Sequence, residues 1–193
     1  MEKNKNRFCG VDVGLKESHA AIIEDRKLIS LFKFEDVKKV DEELFCCYAV
    51  GIDAPLSFPL KENLRECEKE LIKMGIKLFP SGAKFFRGVA EKGMEIASVM
   101  KSRNLAVFEV YPYATRFLLE IGKDVKKQKK RGREKIISDL SRFVVLKGNL
   151  NHNEIDAVIS ALTVSLYYEG FGRILGGKDG SILIPSPEDL RIS

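Results

Sequence analysis

Several common site chemistries are closed to this chain by what it lacks. It has two histidines, His19 and His152, too few for a histidine-rich metal site. Its four cysteines, Cys9, Cys46, Cys47 and Cys67, contain no Cys-x-x-Cys pair and have no histidine cluster near them. A zinc site and a disulfide framework are therefore not expected, and a reducing cytoplasm is the default compartment. No apolar run approaches the ~18 residues that cross a bilayer, so no membrane partner is expected. The polar start Met1-Glu2-Lys3-Asn4-Lys5-Asn6-Arg7 leads straight into a strand and does not read as a signal peptide. There are no internal repeats and no low-complexity linker, which predicts one domain over residues 1–193. No aromatic-rich stretch marks a platform for stacked single-stranded bases, so sequence readout is not expected.

What is present is an ordinary globular composition, 45% hydrophobic and 32% charged, with a net charge of +5. The positive excess is concentrated. Residues 123–135 hold eight basic and two acidic residues, and the rest of the chain is slightly acidic. Such a cluster is an electrostatic footprint for a phosphate backbone, which makes Lys126, Lys127, Lys129, Lys130, Arg131 and Arg133 candidate nucleic-acid contacts. A solvated loop, unstructured when free, is the plainer reading of the same run.

Residues 7–14, 19–24 and 27–34 read as three strands of an antiparallel meander, with Asp25-Arg26 as the tight turn between the last two. A short helix is expected at 36–45 and a nearly all-apolar central strand at 48–53. Helices are expected at 63–74 and 84–100, a strand at 105–110, and helices at 113–121 and 134–145. The last helix, 153–168, has Asn151 as its cap, an apolar stripe through Ile155, Val158, Ile159, Leu162 and Leu166, and a small polar face through His152, Asp156, Ser160 and Thr163. The glycine-rich tail reads as loops with one short strand at 182–184. This is an α/β domain with a mixed five-stranded sheet, its first three strands antiparallel, flanked by helices, with a helical insertion between the fourth and fifth strands.

Four acids fall where a metal-dependent nuclease needs them. Asp12 lies in Gly10-Val11-Asp12-Val13-Gly14, Asp53 in Gly51-Ile52-Asp53-Ala54-Pro55, Glu109 in Glu109-Val110-Tyr111-Pro112, and Asp156 in Asn153-Glu154-Ile155-Asp156-Ala157. The first three lie in or at the ends of apolar strands, where carboxylates are rarely buried unless paired or bound to a cation. If the first, fourth and fifth strands are neighbours and the last helix crosses them, all four converge. That arrangement holds two divalent cations ~4 Å apart, and a carboxylate-only set suits Mg²⁺ or Mn²⁺. Individually the acids have plain explanations. Asp156 would complement a helix N-terminus, and Asp12 and Asp53 would close strands. Glu109 interrupts an otherwise apolar strand and is the hardest to explain away.

These four motifs, in this order, resemble the DUF429 family of predicted nucleases in the RNase H-like (RuvC-like) superfamily, over nearly the whole chain. The resemblance implies an RNase H-like fold, divalent-metal hydrolysis of phosphodiesters in RNA or DNA, and catalytic and metal-binding roles for Asp12, Asp53, Glu109 and Asp156. It also points to Arg65 and Glu68, in Arg65-Glu66-Cys67-Glu68, as accessory residues. Two other readings compete. One is a non-catalytic nucleic-acid-binding protein of the same fold. The other is an actin-like ATPase or kinase relative. The actin-like reading needs two such domains and, in its second phosphate motif, a Gly soon after the Asp, where Asp53 is followed by Ala54-Pro55.

Overall fold

The computed structural model describes residues 4–39 and 42–190. Five strands form one sheet in the order β3-β2-β1-β4-β5. β1 (Asn4–Asp12), β2 (Ser18–Glu24) and β3 (Lys27–Phe34) make the expected meander. Asp25 and Arg26 both adopt positive φ, 47° and 60°, as the turn between β2 and β3 requires. β4 (Cys47–Asp53) pairs parallel to β1, and β5 (Ala106–Glu109) pairs parallel to β4. The helical crossovers demanded by parallel pairing are α1 (Glu66–Lys73) and α2 (Arg87–Ser102), with α3 (Pro112–Leu118), α4 (Lys130–Leu140) and α5 (His152–Tyr168) after β5.

Where sequence and structure differ, the cause is local. Residues 36–45, expected as one helix, instead form 3₁₀ turns at Val37–Lys39 and Glu42–Cys46, with 40 and 41 outside the described residues. α1 starts only after Arg65, whose backbone N–H is capped by the Glu68 carboxylate at 2.9 Å. α4 begins four residues before the expected start, inside the basic run. The tail is a hairpin, β6 (Gly172–Gly177) and β7 (Gly180–Pro185), followed by the short helix α6 (Pro187–Leu190). Its glycines are a packing requirement rather than a loop signal. A Cβ at Gly180 would meet the Ser57 hydroxyl at 2.1 Å, and one at Gly176 would meet the Cys67 Cβ at 2.8 Å. The hairpin tip is pinned to α1, because Asp179 accepts from the Glu66 backbone N–H at 3.1 Å and its carbonyl accepts from the Ser57 hydroxyl.

The core has two main layers. One lies between the sheet and α5 and includes Ile23, Ala49, Val158 and Leu162. The other lies between the opposite face and α2 and includes Val11, Val50, Ile52, Ile96 and Met100. α5 is buried on every side from Ile155 to Leu166, not along one stripe. Its small polar face is the one seated on the sheet. Gly10 and Gly51 allow this, since a Cβ there would meet the Ala157 carbonyl at 2.0 Å and the Ser160 carbonyl at 2.7 Å. This close approach carries Asp156, near the start of α5, to the ends of β1 and β4. Asn151 caps α5 as expected, accepting from the Asn153 and Glu154 N–H groups while Glu154 reaches back to the Asn151 N–H. No helix among the described residues is long and apolar enough to cross a membrane.

Candidate metal centre

Asp12 and Asp53 are register partners at the C-terminal ends of neighbouring parallel strands. Gly10 and Gly51, two residues earlier on each strand, face α5. Strand alternation therefore points both aspartates to that same side. Asp156 arrives there from the first turns of α5 and is buried. One carboxylate oxygen from each of the three lies within 4.8 Å of the others.

Glu109 departs from the expected convergence. In the parallel ladder it stands beside Ile52, not Asp53. Ile52 faces the α2 layer, so Glu109 emerges on the opposite face from the three aspartates. There it is taken by Arg65, whose two terminal nitrogens donate to its carboxylate at 2.7 and 2.5 Å. The Leu56 backbone N–H donates to it at 2.7 Å. Arg65 is only 1% exposed, and also donates to Glu68 at 3.3 Å and to the Ser57 hydroxyl at 3.0 Å. Burial opposes the Arg65 charge, and Glu109 more than offsets it, leaving the guanidinium's pKa raised. The accessory residues Arg65 and Glu68 thus join Glu109 in a buried network at the back of the cleft. Asp12, Asp53 and Glu109 still line one cleft, of about 310 Å³.

The basic run divides into two groups. Lys127 is half-buried, and its ammonium donates to Asp156 from within the acidic cluster. Arg133 donates to the carbonyls of Gln128 at 3.0 Å and Lys127 at 3.4 Å, so it shapes the turn that presents Lys127. Gly132 has no space for a side chain, since a Cβ would meet the Lys126 carbonyl at 2.1 Å. Lys126, Lys129, Lys130 and Arg131 are exposed. The segment is thus a defined turn and helix start in this structure. Sequence reasoning placed Lys127 among phosphate contacts and missed its place beside the acids. The even spread of charge along the run offers no signal for it.

The electrostatics test whether the residues suit a cation. Burial raises the Asp12 carboxyl to about 6, against the opposing pull of Lys127. Burial and then repulsion from Asp12 raise Asp53. Burial lowers the Lys127 ammonium, although Asp53 and Asp12 pull it upward. Asp12 and Asp53 resist joint ionisation, Asp156 adds a third carboxylate oxygen within 4.8 Å, and an amine is drawn in among them; oxygen donors so arranged could hold a hard divalent ion. A stability test follows. Between pH ~4 and 6 the folded state holds a proton on Asp12 that the unfolded chain has lost, so metal-free stability should fall as pH rises through that window. At pH 7.5, Mn²⁺ at a hundredfold excess over its Kd should raise Tm by ~5–10 °C. Calorimetry of the parent beside Asp53→Asn checks both, and an equal Mn²⁺ shift in the variant would place the ion elsewhere.

No family model and no curated protein matches this chain. Among solved structures, it is similar to T. thermophilus RuvC in complex with a Holliday junction substrate, with a TM-score of 0.50 and 11% identity, covering 85% of this chain and 94% of that one. A second Thermus thermophilus RuvC structure aligns with a TM-score of 0.46 and 13% identity, covering 85% of this chain and 95% of that one. The fold of this chain is that of RuvC, an RNase H-like mixed sheet flanked by helices.

Proposed function

We propose that this protein is a divalent-metal-dependent nuclease that hydrolyses phosphodiester bonds, with Asp12, Asp53 and Asp156 holding Mg²⁺ or Mn²⁺. The convergence of those three carboxylates within 4.8 Å, on an RNase H-like sheet, carries this reading. Divalent ions held by Asp12, Asp53 and Asp156 would supply an activated water and positive charge for the phosphate. The chain's own residues do the rest. α5 and the parallel strand ends fix the carboxylates before substrate arrives, and Glu109, held by Arg65, sets the wall of the cleft beside Asp53. Lys127 donates to Asp156 in the metal-free site and would give way to a bound cation. The four ordered motifs support placement near the DUF429 family. The RuvC neighbour is in complex with a Holliday junction, which makes branched DNA one substrate to include. The four free cysteines suit a reducing, cytoplasmic setting.

A panel of labelled RNA, DNA, hybrid and junction substrates with Mg²⁺ or Mn²⁺ tests the proposal. Cleavage should appear with at least one substrate and vanish in EDTA. Lys127 among the acids favours one second reading, a non-catalytic nucleic-acid binder whose lysine permanently replaces the metal. That reading takes over if no substrate is cut and Mn²⁺ fails to bind.

Lys126, Lys129, Lys130 and Arg131 serve as phosphate contacts in this proposal. Replacing them with alanine should weaken binding of all sequences alike and flatten the salt dependence by ~0.7–0.9 per lost contact. Fluorescence anisotropy across a salt series reads this directly. An unchanged slope would make the run a solvated surface.

A further inference from the structure

The sequence has no long aromatic run to mark a stacking platform, yet three phenylalanines within residues 79–86 close into one aromatic surface. Phe79 is 69% exposed and Phe85 67% exposed, a degree unusual for this residue type. With Phe86 they form one cluster. Ring centroids lie 5.9 Å apart for Phe79 and Phe85, 5.0 Å for Phe85 and Phe86, and 6.2 Å for Phe79 and Phe86. Phe79 and Phe86 also line the cleft that contains Asp12 and Asp53. The exposed Leu15, three residues after Asp12, extends this surface, for a Cβ on Gly88 at the start of α2 would lie 3.0 Å from its side chain.

The cluster is firmly mounted. The Ser81 backbone N–H donates to the buried Glu68 carboxylate at 3.1 Å, and Gly82 N–H donates to the Asn63 carbonyl at 3.1 Å. Glu68 is in turn bound by Arg65, which holds Glu109. The same network that forms the back of the cleft therefore sets the aromatic rim. Lys84 and Arg87 are exposed on the segment that carries Phe85 and Phe86.

Resting on the nuclease reading above, we propose that Phe79, Phe85 and Phe86 form a stacking site for an unpaired nucleobase of the strand whose phosphate lies at Asp12 and Asp53. The substrate class is then nucleic acid with single-stranded or splayed nucleotides at the cut. The occupant must present a flat π-face to the rings, an anionic backbone to Lys84 and Arg87, and a phosphodiester to the acids a short distance away. A nucleotide strand does all three. Paired duplex keeps its base faces stacked inside the helix and offers only edges and phosphates. Rings held rigid in advance lose little freedom on binding.

The test measures binding in EDTA, so its outcome does not depend on cleavage or on metal. Labelled (dT)15 and a 15-base-pair duplex are titrated by anisotropy against the parent, Phe79→Ala, Phe79→Leu, Phe79→Trp and the Phe79→Ala/Phe85→Ala pair. Phe79→Ala should weaken (dT)15 about tenfold and the double variant ~100-fold, one base–aromatic stack for each ring. Duplex affinity should stay within about twofold, and the salt slope should not change because no charge is removed. Leu at position 79 should behave as Ala, since it is apolar but offers no π-face, and Trp should bind as the parent does. Equal losses on both probes, no loss on (dT)15, or full binding by Phe79→Leu would overturn the proposal. So would sedimentation showing that the parent self-associates through this surface and that the double variant does not.

Discussion

Asp12→Asn is expected to abolish metal-dependent cleavage, by at least about a thousandfold, while nucleic-acid binding changes little. The substitution keeps the side chain's size and removes one of three charges that converge within 4.8 Å. Loss of a group that stabilises transition-state charge has this scale. The exposed lysines and arginine bind substrate and transition state alike, so they maintain affinity without maintaining rate. The same variant should be more stable than the parent in EDTA and less responsive to Mn²⁺. Repulsion with Asp53 is relieved in one case, and a ligand is missing in the other. Single-turnover cleavage, anisotropy and calorimetry on one preparation separate these effects. Cleavage at the parental rate would remove Asp12 from the chemistry and the nuclease reading with it.

Arg65→Met should be the most destabilising single change near the site, by ~3–5 kcal/mol. Methionine fills part of the volume but leaves Glu109 and Glu68 buried without their shared cation. A protein of this size would lose ~10 °C or more in Tm. The loss should shrink at low pH. Glu109 without Arg65 takes up a proton on folding, and a group that binds protons in the folded state gains stability as pH falls. Adding Glu109→Gln should recover much of the loss, because the uncompensated charge is then gone. Thermal unfolding of the three proteins at pH 5 and 7.5 tests this. Arg65→Met melting within 2 °C of the parent would show that the network is not structural.

The consequences for function differ between these two changes. Asp12 acts at the acids themselves, and its loss should leave the cleft's shape intact. Arg65 instead holds Glu109 and Glu68 and, through the Glu68 bond to the Ser81 N–H, the aromatic rim. Its replacement should therefore weaken binding of unpaired strands together with folding.

Sequence alone settled the strands of the meander, the positions of β4 and β5 and the cap of α5. These are local matters. β-branched runs, turn residues and a side chain that bonds its own helix end are readable over a few residues. Asp12 and Asp53 were legible for the same reason, since each ends an apolar strand. Tertiary structure decided which acids meet. The parallel ladder sets Glu109 beside Ile52 and so turns it to the far face, where Arg65 claims it. One residue of register reverses the face of a strand side chain, and nothing within β5 encodes its alignment to β4. The place of Lys127 among the aspartates depends on a turn shaped by Arg133, and the contact of Phe79 with Phe85 and Phe86 depends on Ser81 bonding to Glu68. The first joins side chains from distant segments, and the second holds one short segment in place through a bond to α1. Neither arrangement is written in a local pattern of the chain, because each needs a partner brought in by the packing of another element.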